Sequence, residues 1–316
     1  MKFVLSFAPF ILQAMGSYVP FGMDNALTTS SVPEQFLSDV YLVGQSPSFT
    51  YRGDPRVSYT VYVPPDQYPA ENSTTRKLPL LVDIHGTLRR MIAISSEGQH
   101  HDFAQRTGCA IVAPLFPAGL EGPNDVDSYK LMRTESLRSD LALLGIIDEI
   151  AYRWPGIETS QFYMMGFSGG GQFVHRFLYL HADRLAGVSI GAPGRVTYLD
   201  ATKEWPEGVS DVQDVFNTTV NKDAIRNVPI QLVVGSEDTE IYSPAFWEWL
   251  HGVTGDGGLP PSNETRIDTL KKLRATWAEE GIETRLDVVP GVAHNSSDPA
   301  IRNAVYGYLG PLLESA

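Results

Sequence analysis

The pentapeptide Gly166-Phe167-Ser168-Gly169-Gly170 joins an apolar run suited to a strand, Gln161 to Met165, to an amphipathic run suited to a helix, Phe173 to His181. A chain that passes from strand to helix within so few residues makes a sharp, strained turn. Glycines on both sides let the backbone pass close to its neighbours. A strand leading directly into a helix is also the repeating unit of a parallel sheet covered on both faces. The hydroxyl of Ser168 is left exposed at the tip, placed to act as a nucleophile. The plainer reading is a glycine-rich connection without chemistry.

The same pattern occurs again in Gly187-Val188-Ser189-Ile190-Gly191, and context separates the two. The second copy lies within the apolar run Leu185 to Ile190 and leads into Gly191-Ala192-Pro193-Gly194, where proline and glycine favour a loop over a helix. Ser189 therefore reads as a strand residue. Ser168 has the strand before it, the helix after it, and a further glycine, Gly171, that lets the helix approach the sheet.

A serine hydroxyl needs a base within hydrogen-bond reach and a third group to hold that base in one tautomer. The buried-strand pattern Pro229 to Val234 ends in Gly235-Ser236-Glu237-Asp238, and the strand pattern Glu283 to Val289 ends in Pro290-Gly291-Val292-Ala293-His294. Both polar residues fall just past strand ends. In an open parallel sheet that rim is where loops bring distant residues together.

These motifs resemble the α/β-hydrolase family, whose triad runs Ser, then Asp or Glu, then His along the chain. The resemblance extends from about Tyr51 to the C-terminus, and it adds an upstream strand, Leu78 to Ile84, closing on His85-Gly86. It implies a catalytic triad of Ser168, Asp238 and His294 at a nucleophile elbow. It further implies an oxyanion hole built from the backbone N–H of Gly169 and one from the turn after His85-Gly86, by position Thr87 or else Leu88. The stretch His85-Gly86-Thr87-Leu88 lacks the glycine run of the lipase and esterase versions, which leaves that second N–H open. The fold implied is a mostly parallel central sheet with helices on both faces, an N-terminal antiparallel hairpin and lid insertions.

Each residue has rivals. Glu237 and Glu240 flank Asp238, and an acidic surface turn is the plain alternative there. Six other histidines compete with His294. His85 reads as a packing residue, His100 and His101 lie in a polar helical stretch, His175 and His181 follow the elbow on its helix, and His251 falls in an insertion.

Along the chain, Phe49 to Val63 reads as an edge hairpin around Arg52-Gly53-Asp54-Pro55, and Pro64 to Lys77 as a loop. Strand and helix patterns then alternate. A helix over Leu137 to Tyr152 carries Leu141, Leu144, Ile147 and Ile150 near helical spacing, and Trp154-Pro155-Gly156 stops it. Helices over Glu264 to Glu280 and Pro299 to Leu313 complete the pattern. This gives a domain over 49–316 preceded by a segment 1–48. Two stretches, about 195–228 and 239–262, interrupt the alternation and carry Tyr198, Trp205, Phe216, Tyr242, Phe246, Trp247 and Trp249. Such rings either roof an apolar acyl or aryl pocket or anchor the insertions to the core. Gly252 to Gly258 is glycine-rich but follows no strand, which argues against a nucleotide loop.

A formal charge of −13 argues against nucleic acid or an anionic membrane surface as partner, and no run of about eighteen apolar residues suggests a membrane span. Lys2, the apolar run Phe3 to Leu12 and the small residues near Gly16 resemble a short secretory signal. Against that reading stand Pro9, the weak basic charge, a lone Cys109 and the sequon at Asn295, where a glycan would obstruct His294. These favour a cytoplasmic protein, with residues 3–15 as a packing helix. The other sequons are at Asn72, Asn217 and Asn263.

The expected activity is hydrolysis of a small-molecule carboxylic ester through an acyl-enzyme, similar to carboxylesterases, polyester depolymerase-like enzymes and aryl esterases. No cofactor is called for and no metal-ligand spacing occurs. Two alternatives use the same residues: an amidase or peptidase, and a biosynthetic enzyme that condenses, cyclises or cleaves a polyketide-like molecule. Oligomeric state is left open.

Overall fold

A computed structural model describes residues 19–69, 76–89, 99–123, 125–239 and 264–316. Its strands are β1 (Gly44–Gln45), β2 (Phe49–Thr50), β3 (Ser58–Val63), β4 (Leu78–Ile84), β5 (Ala110–Leu115), β6 (Ile157–Phe167), β7 (Leu185–Gly191), β8 (Ile230–Gly235) and β9 (Arg285–Val289). Among the described residues they form one nine-stranded sheet in the order β1-β3-β5-β4-β6-β7-β8-β9, with β2 also paired to β3. The pairings of β3 with β1, β2 and β5 are antiparallel, and every pairing from β5 to β9 is parallel. The expected edge hairpin and parallel core are both present. The sheet begins at Gly44, ahead of the boundary placed at residue 48.

A strand buried on both faces is apolar at nearly every position, and β8 is buried throughout, with Gln231 as its one polar side chain. The faces separate by alternation along each strand. Leu80, Val82 and Ile84 of β4 and Met164 of β6 join one core with residues of α2 (Ser139–Arg153), α3 (Gly169–His181) and α6 (Arg266–Glu279). Leu81, Tyr163 and Met165 join the other, with Phe103 of α1 (Gln99–Thr107) and Tyr306, Leu309 and Leu313 of α7 (Pro299–Ser315). Helices therefore cover both faces of the sheet.

Two local expectations need correction. On α2 the buried stripe is Ala142, Leu143, Ile146, Ile147 and Ile150, and Leu141 is 47% exposed. With apolar residues at most positions from 141 to 147, two stripes have similar spacing, and tertiary packing chooses between them. Residues ahead of 49 also belong to the domain. Met23 and Leu42 are buried, the Trp154 indole N–H donates to Leu42 O at 2.5 Å, and Arg153 Nη1 donates to Leu27 O at 3.1 Å.

The 195–228 insertion contains two short helices, α4 (Val212–Phe216) and α5 (Lys222–Arg226). Its aromatics are anchors. Phe216 is buried, the Trp205 and Phe216 rings meet edge to face at 4.9 Å, Trp205 Nε1 donates to Leu131 O, and Tyr198 packs against the core. Residues 3–15 and nearly all of 239–262, including Tyr242, Phe246, Trp247, Trp249 and His251, lie outside the described residues. Among the described residues no helix is long and apolar enough to cross a membrane.

Candidate active site

β6 ends at Phe167 and α3 begins at Gly169, leaving Ser168 alone at the corner with φ 58° and ψ −115°. A left-handed φ at a non-glycine residue stores roughly 1–3 kcal/mol, so the surroundings must hold it. They do so through the backbone. Ser168 N donates to Gly191 O at 2.8 Å, and Gln172 N donates to Ser168 O at 3.0 Å. A Cβ on Gly170 would stand 2.1 Å from Ile84 O, and one on Gly171 would stand 2.3 Å from Gly191 O. The start of α3 thus lies directly on β4 and β7, a fit that only glycine permits. Ser189, in contrast, is an interior strand residue: it is 1% exposed and donates to Gln231 Oε1 at 2.7 Å.

The loops after β8 and β9 are bonded to each other. Ser236 N donates to Val289 O, Glu237 N to Val292 O, and Gly291 N to Ser236 Oγ, each within 2.9 Å. A side chain at Gly235 would collide with Val292 O at 2.1 Å. This zipper brings Asp238 to His294. The His294 Nδ1–H donates to Asp238 Oδ2 at 2.7 Å, while Arg266 Nη1, at the start of α6, donates to Oδ1 at 2.7 Å. The Asp238 carboxylate is fully buried and Arg266 nearly so, whereas the His294 side chain is 32% exposed. A buried carboxylate with two charge-assisted partners is held in one orientation. Its bond to Nδ1 leaves Nε2 as the basic nitrogen of a neutral imidazole.

The ring of His294 lies 5.0 Å, centroid to centroid, from that of Phe167, the residue preceding Ser168. Two of the three expected triad members are therefore hydrogen-bonded to each other, and the third directly follows the phenylalanine whose ring meets the imidazole. Neither Ser168 Oγ nor His294 Nε2 has a hydrogen-bond partner among the described residues. Of the rivals to Asp238, Glu237 is exposed and Glu240 lies outside the described residues. The other described histidines have partners elsewhere. His100 bonds to Tyr306, His101 stacks on Tyr62, His175 meets the Thr197 backbone and His181 meets Asp140.

His85 is structural. Its Nδ1–H donates to Gly86 O at 2.8 Å, its Nε2 accepts from Phe116 N at 3.0 Å, and burial pulls its pKa down to about 4, so it stays neutral. Tyr129 Oη donates to His85 O at 3.0 Å. Arg89 N closes the following turn on Gly86 O at 2.9 Å, and Arg89 Nη1 donates to Thr87 O at 2.6 Å. The turn so fixed sets Thr87 against the elbow: the position of a Cβ on Gly169 lies 2.8 Å from both Thr87 N and Thr87 Oγ1. The Leu88 side chain is 62% exposed.

Arg266 and Lys130, whose ammonium donates to Thr87 Oγ1 at 3.0 Å, escape a reading of the sequence. Arg266 follows Thr265, whose side chain caps α6 by accepting from Asp268 N, and the N-cap spacing is the only local signal there. Nothing in the sequence ties this arginine to Asp238. Among the described residues no group of three or more His, Cys, Asp or Glu is placed to hold a metal ion.

No family model matches the sequence, and no curated protein matches it significantly. Solved structures do match. Poly(aspartic acid) hydrolase-1 from Sphingomonas sp. KT-1 aligns with a TM-score of 0.58 at 17% identity, over 84% of this chain and 97% of its own. A ferulic acid esterase aligns with a TM-score of 0.53 at 13% identity, over 85% and 98%. LpqC, a poly(3-hydroxybutyrate) depolymerase from Bordetella parapertussis, aligns with a TM-score of 0.50 at 22% identity, over 75% and 78%. With the parallel strand order and the strand-to-helix corner at Ser168, these likenesses establish that the chain has the α/β-hydrolase fold.

Proposed function

We propose that the protein is a serine hydrolase that cleaves a carboxylic ester through an acyl-enzyme on Ser168. The observation that carries the reading is the strained corner holding Ser168 on the same rim as the hydrogen-bonded Asp238–His294 pair. Neutral His294 takes the Ser168 proton at Nε2 as Oγ bonds to the carbonyl carbon, and the carbonyl π pair moves onto oxygen. Asp238 holds the imidazolium that forms. The backbone N–H groups of Gly169 and Thr87 stabilise the oxyanion, each worth about 3 kcal/mol in the transition state. Collapse expels the alkoxide, which takes the proton from His294, and water then releases the acid by the same route. No step calls on a cofactor.

Treatment with a fluorophosphonate probe, followed by mass spectrometry of the intact protein and a panel of esters of graded acyl length, tests this reading. It expects one adduct, on Ser168, and turnover of at least one ester. An unlabelled protein would overturn it.

One observation favours a second reading. Poly(aspartic acid) is a polyamide, and the hydrolase named for it gives the highest TM-score of the three likenesses. The same triad serves amides, so cleavage of an anionic oligoamide with no turnover of esters would decide for an amidase.

A further inference from the structure

Behind the elbow, between the sheet and the helices α1 and α7, lies a cavity of about 50 Å³. Phe167 of β6 lines it, as does Ser296, two residues past His294, whereas Ser168 and His294 do not. Most of its wall is apolar, completed by Met165, Val233, Ile301 and Val305. At about 10–15 Å³ for each water-sized group, the space takes roughly four non-hydrogen atoms.

Two polar groups of this wall are left unsatisfied. Asp83 shares its face of β4 with the buried Leu81, and its carboxyl has no hydrogen-bond partner among the described residues. Burial pushes that carboxyl up to about 7, so its protonated and ionised forms are both populated near neutral pH. His100, 3% exposed, lines the same cavity; its Nδ1 is bonded to Tyr306 Oη and its buried Nε2 has no partner. The hydroxyl of Ser189, also in the wall, is committed as a donor to Gln231 Oε1 at 2.7 Å. Buried polar groups of native proteins are nearly always paired, so these two call for an occupant that brings its own polar atom.

Their chemistry selects that occupant. A carboxyl present in both forms needs a partner that accepts from it when protonated and donates to it when ionised. A neutral imidazole nitrogen makes the same demand according to its tautomer. A hydroxyl meets both, whereas a carboxylate only accepts and an ammonium only donates. The apolar remainder of the wall calls for a short alkyl chain behind that hydroxyl. We infer that the cavity is a binding site for a short primary alcohol of about three carbons. The inference rests on the ester reading for the source of this ligand, because ester cleavage releases an alcohol. No bond forms or breaks in the cavity. Its occupant touches Phe167, whose ring meets the His294 imidazole at 5.0 Å, and so sits beside the catalytic residues without blocking them.

Titration of 1-propanol into the full chain, with Ser168 first labelled by a fluorophosphonate and the methyl NMR shifts of Val233, Ile301 and Val305 as readout, tests the inference. Saturable shifts at those methyls are expected, with a Kd on the order of 1–30 mM for a ligand of about four non-hydrogen atoms. Val305→Phe fills the cavity and should abolish saturation. Asp83→Leu keeps the bulk, removes the carboxyl and should weaken binding about tenfold. 1-Hexanol is too long for the space and should not saturate the same shifts, and propanoate should bind about tenfold more weakly than 1-propanol. Shifts that grow linearly with 1-propanol and never saturate would mean that the cavity holds water only, and would overturn the inference. Tighter binding of propanoate would overturn the choice of an alcohol, and unchanged affinity in Asp83→Leu would refute the carboxyl as its partner. If Val305→Phe does not fold, Asp83→Leu and the ligand series still decide. A chain that takes no label would overturn the acyl nucleophile instead, and titration of that unlabelled chain would still decide for or against the alcohol.

Discussion

Asp238 Oδ2 accepts the Nδ1 proton of His294 at 2.7 Å, across 56 residues of sequence, while its other oxygen is held by Arg266 at the same distance. The imidazole is thus anchored to a carboxylate that is itself tethered to α6. Arg266→Met should leave that carboxylate buried with one partner fewer. Breaking a buried pair from one side typically costs about 3–5 kcal/mol, so urea unfolding should show a loss of that order, with a fall in kcat as the histidine loses its fixed support. Glu237→Gln, one position away and exposed, should change neither quantity measurably. Equal behaviour of the two variants would refute the tether.

The two Gly-x-Ser-x-Gly copies offer a clean internal control. Ser168→Ala should abolish both turnover and fluorophosphonate labelling while leaving the fold intact, because its side chain has no hydrogen-bond partner among the described residues. Ser189→Ala should keep both activities and lose about 1 kcal/mol of stability, the ordinary worth of a buried hydrogen bond such as the one from its hydroxyl to Gln231. Labelling that survives Ser168→Ala and disappears with Ser189→Ala would reverse the assignment.

Gly170 is expected to be among the least replaceable residues of the elbow. Its Cβ would stand 2.1 Å from Ile84 O and 3.0 Å from His85 O, and main-chain oxygens in the centre of a sheet cannot swing aside as a flexible side chain would. Gly170→Ala should therefore push α3 off β4, lowering soluble yield and melting temperature sharply. Gly307→Ala, on the C-terminal helix with nothing near its Cβ position, should be neutral or slightly stabilising. A Gly170→Ala protein that melts with the wild type would show that α3 can move off the sheet at little cost.

The parallel sheet and the strand-to-helix corner at Ser168 are legible in the sequence because they rest on local signals: β-branched runs ended by glycine, and a strand followed at once by a helix. Asp238 and His294 are legible for a related reason, since strand ends in an open sheet converge on one rim whatever the intervening sequence. Arg266 and Lys130 are not. Each is a single cation in a polar stretch, and its meaning comes from packing between segments far apart in the chain: α6 on the β8 loop, and the 3-10 helix at Ser128–Leu131 on the β4 turn. Which face of α2 is buried is not legible either, because contiguous leucines and isoleucines give two stripes that only tertiary contacts separate. The aromatics of 195–228 carry no sign in the sequence of whether they face a pocket or the core. Burial of Phe216 and the Trp205 bond to Leu131 O settle it for the core.

A last prediction concerns pH. Asp83, on β4 two residues before His85, lines a cavity of about 50 Å³ with His100, Arg302 and Tyr306 on the α1–α7 side of the sheet. Burial pushes its carboxyl up to about 7, and the Arg302 charge only partly opposes this. In the unfolded chain an aspartate titrates near about 3.9. Between those values the folded protein holds a proton that the unfolded chain has released, so this group's contribution to stability falls as pH rises through the window, and the penalty is complete above about 7. Asp83→Asn removes the titration and keeps the shape. Its melting temperature relative to wild type should therefore climb steadily from pH 4 to 7 and level off beyond, on top of any constant offset from the amide. His100, held down to about 4 mainly by burial, is present in both proteins and cancels to first order in the difference. A difference that stays flat across the window would mean that Asp83 is ionised in the native state at low pH, with Arg302 outweighing burial.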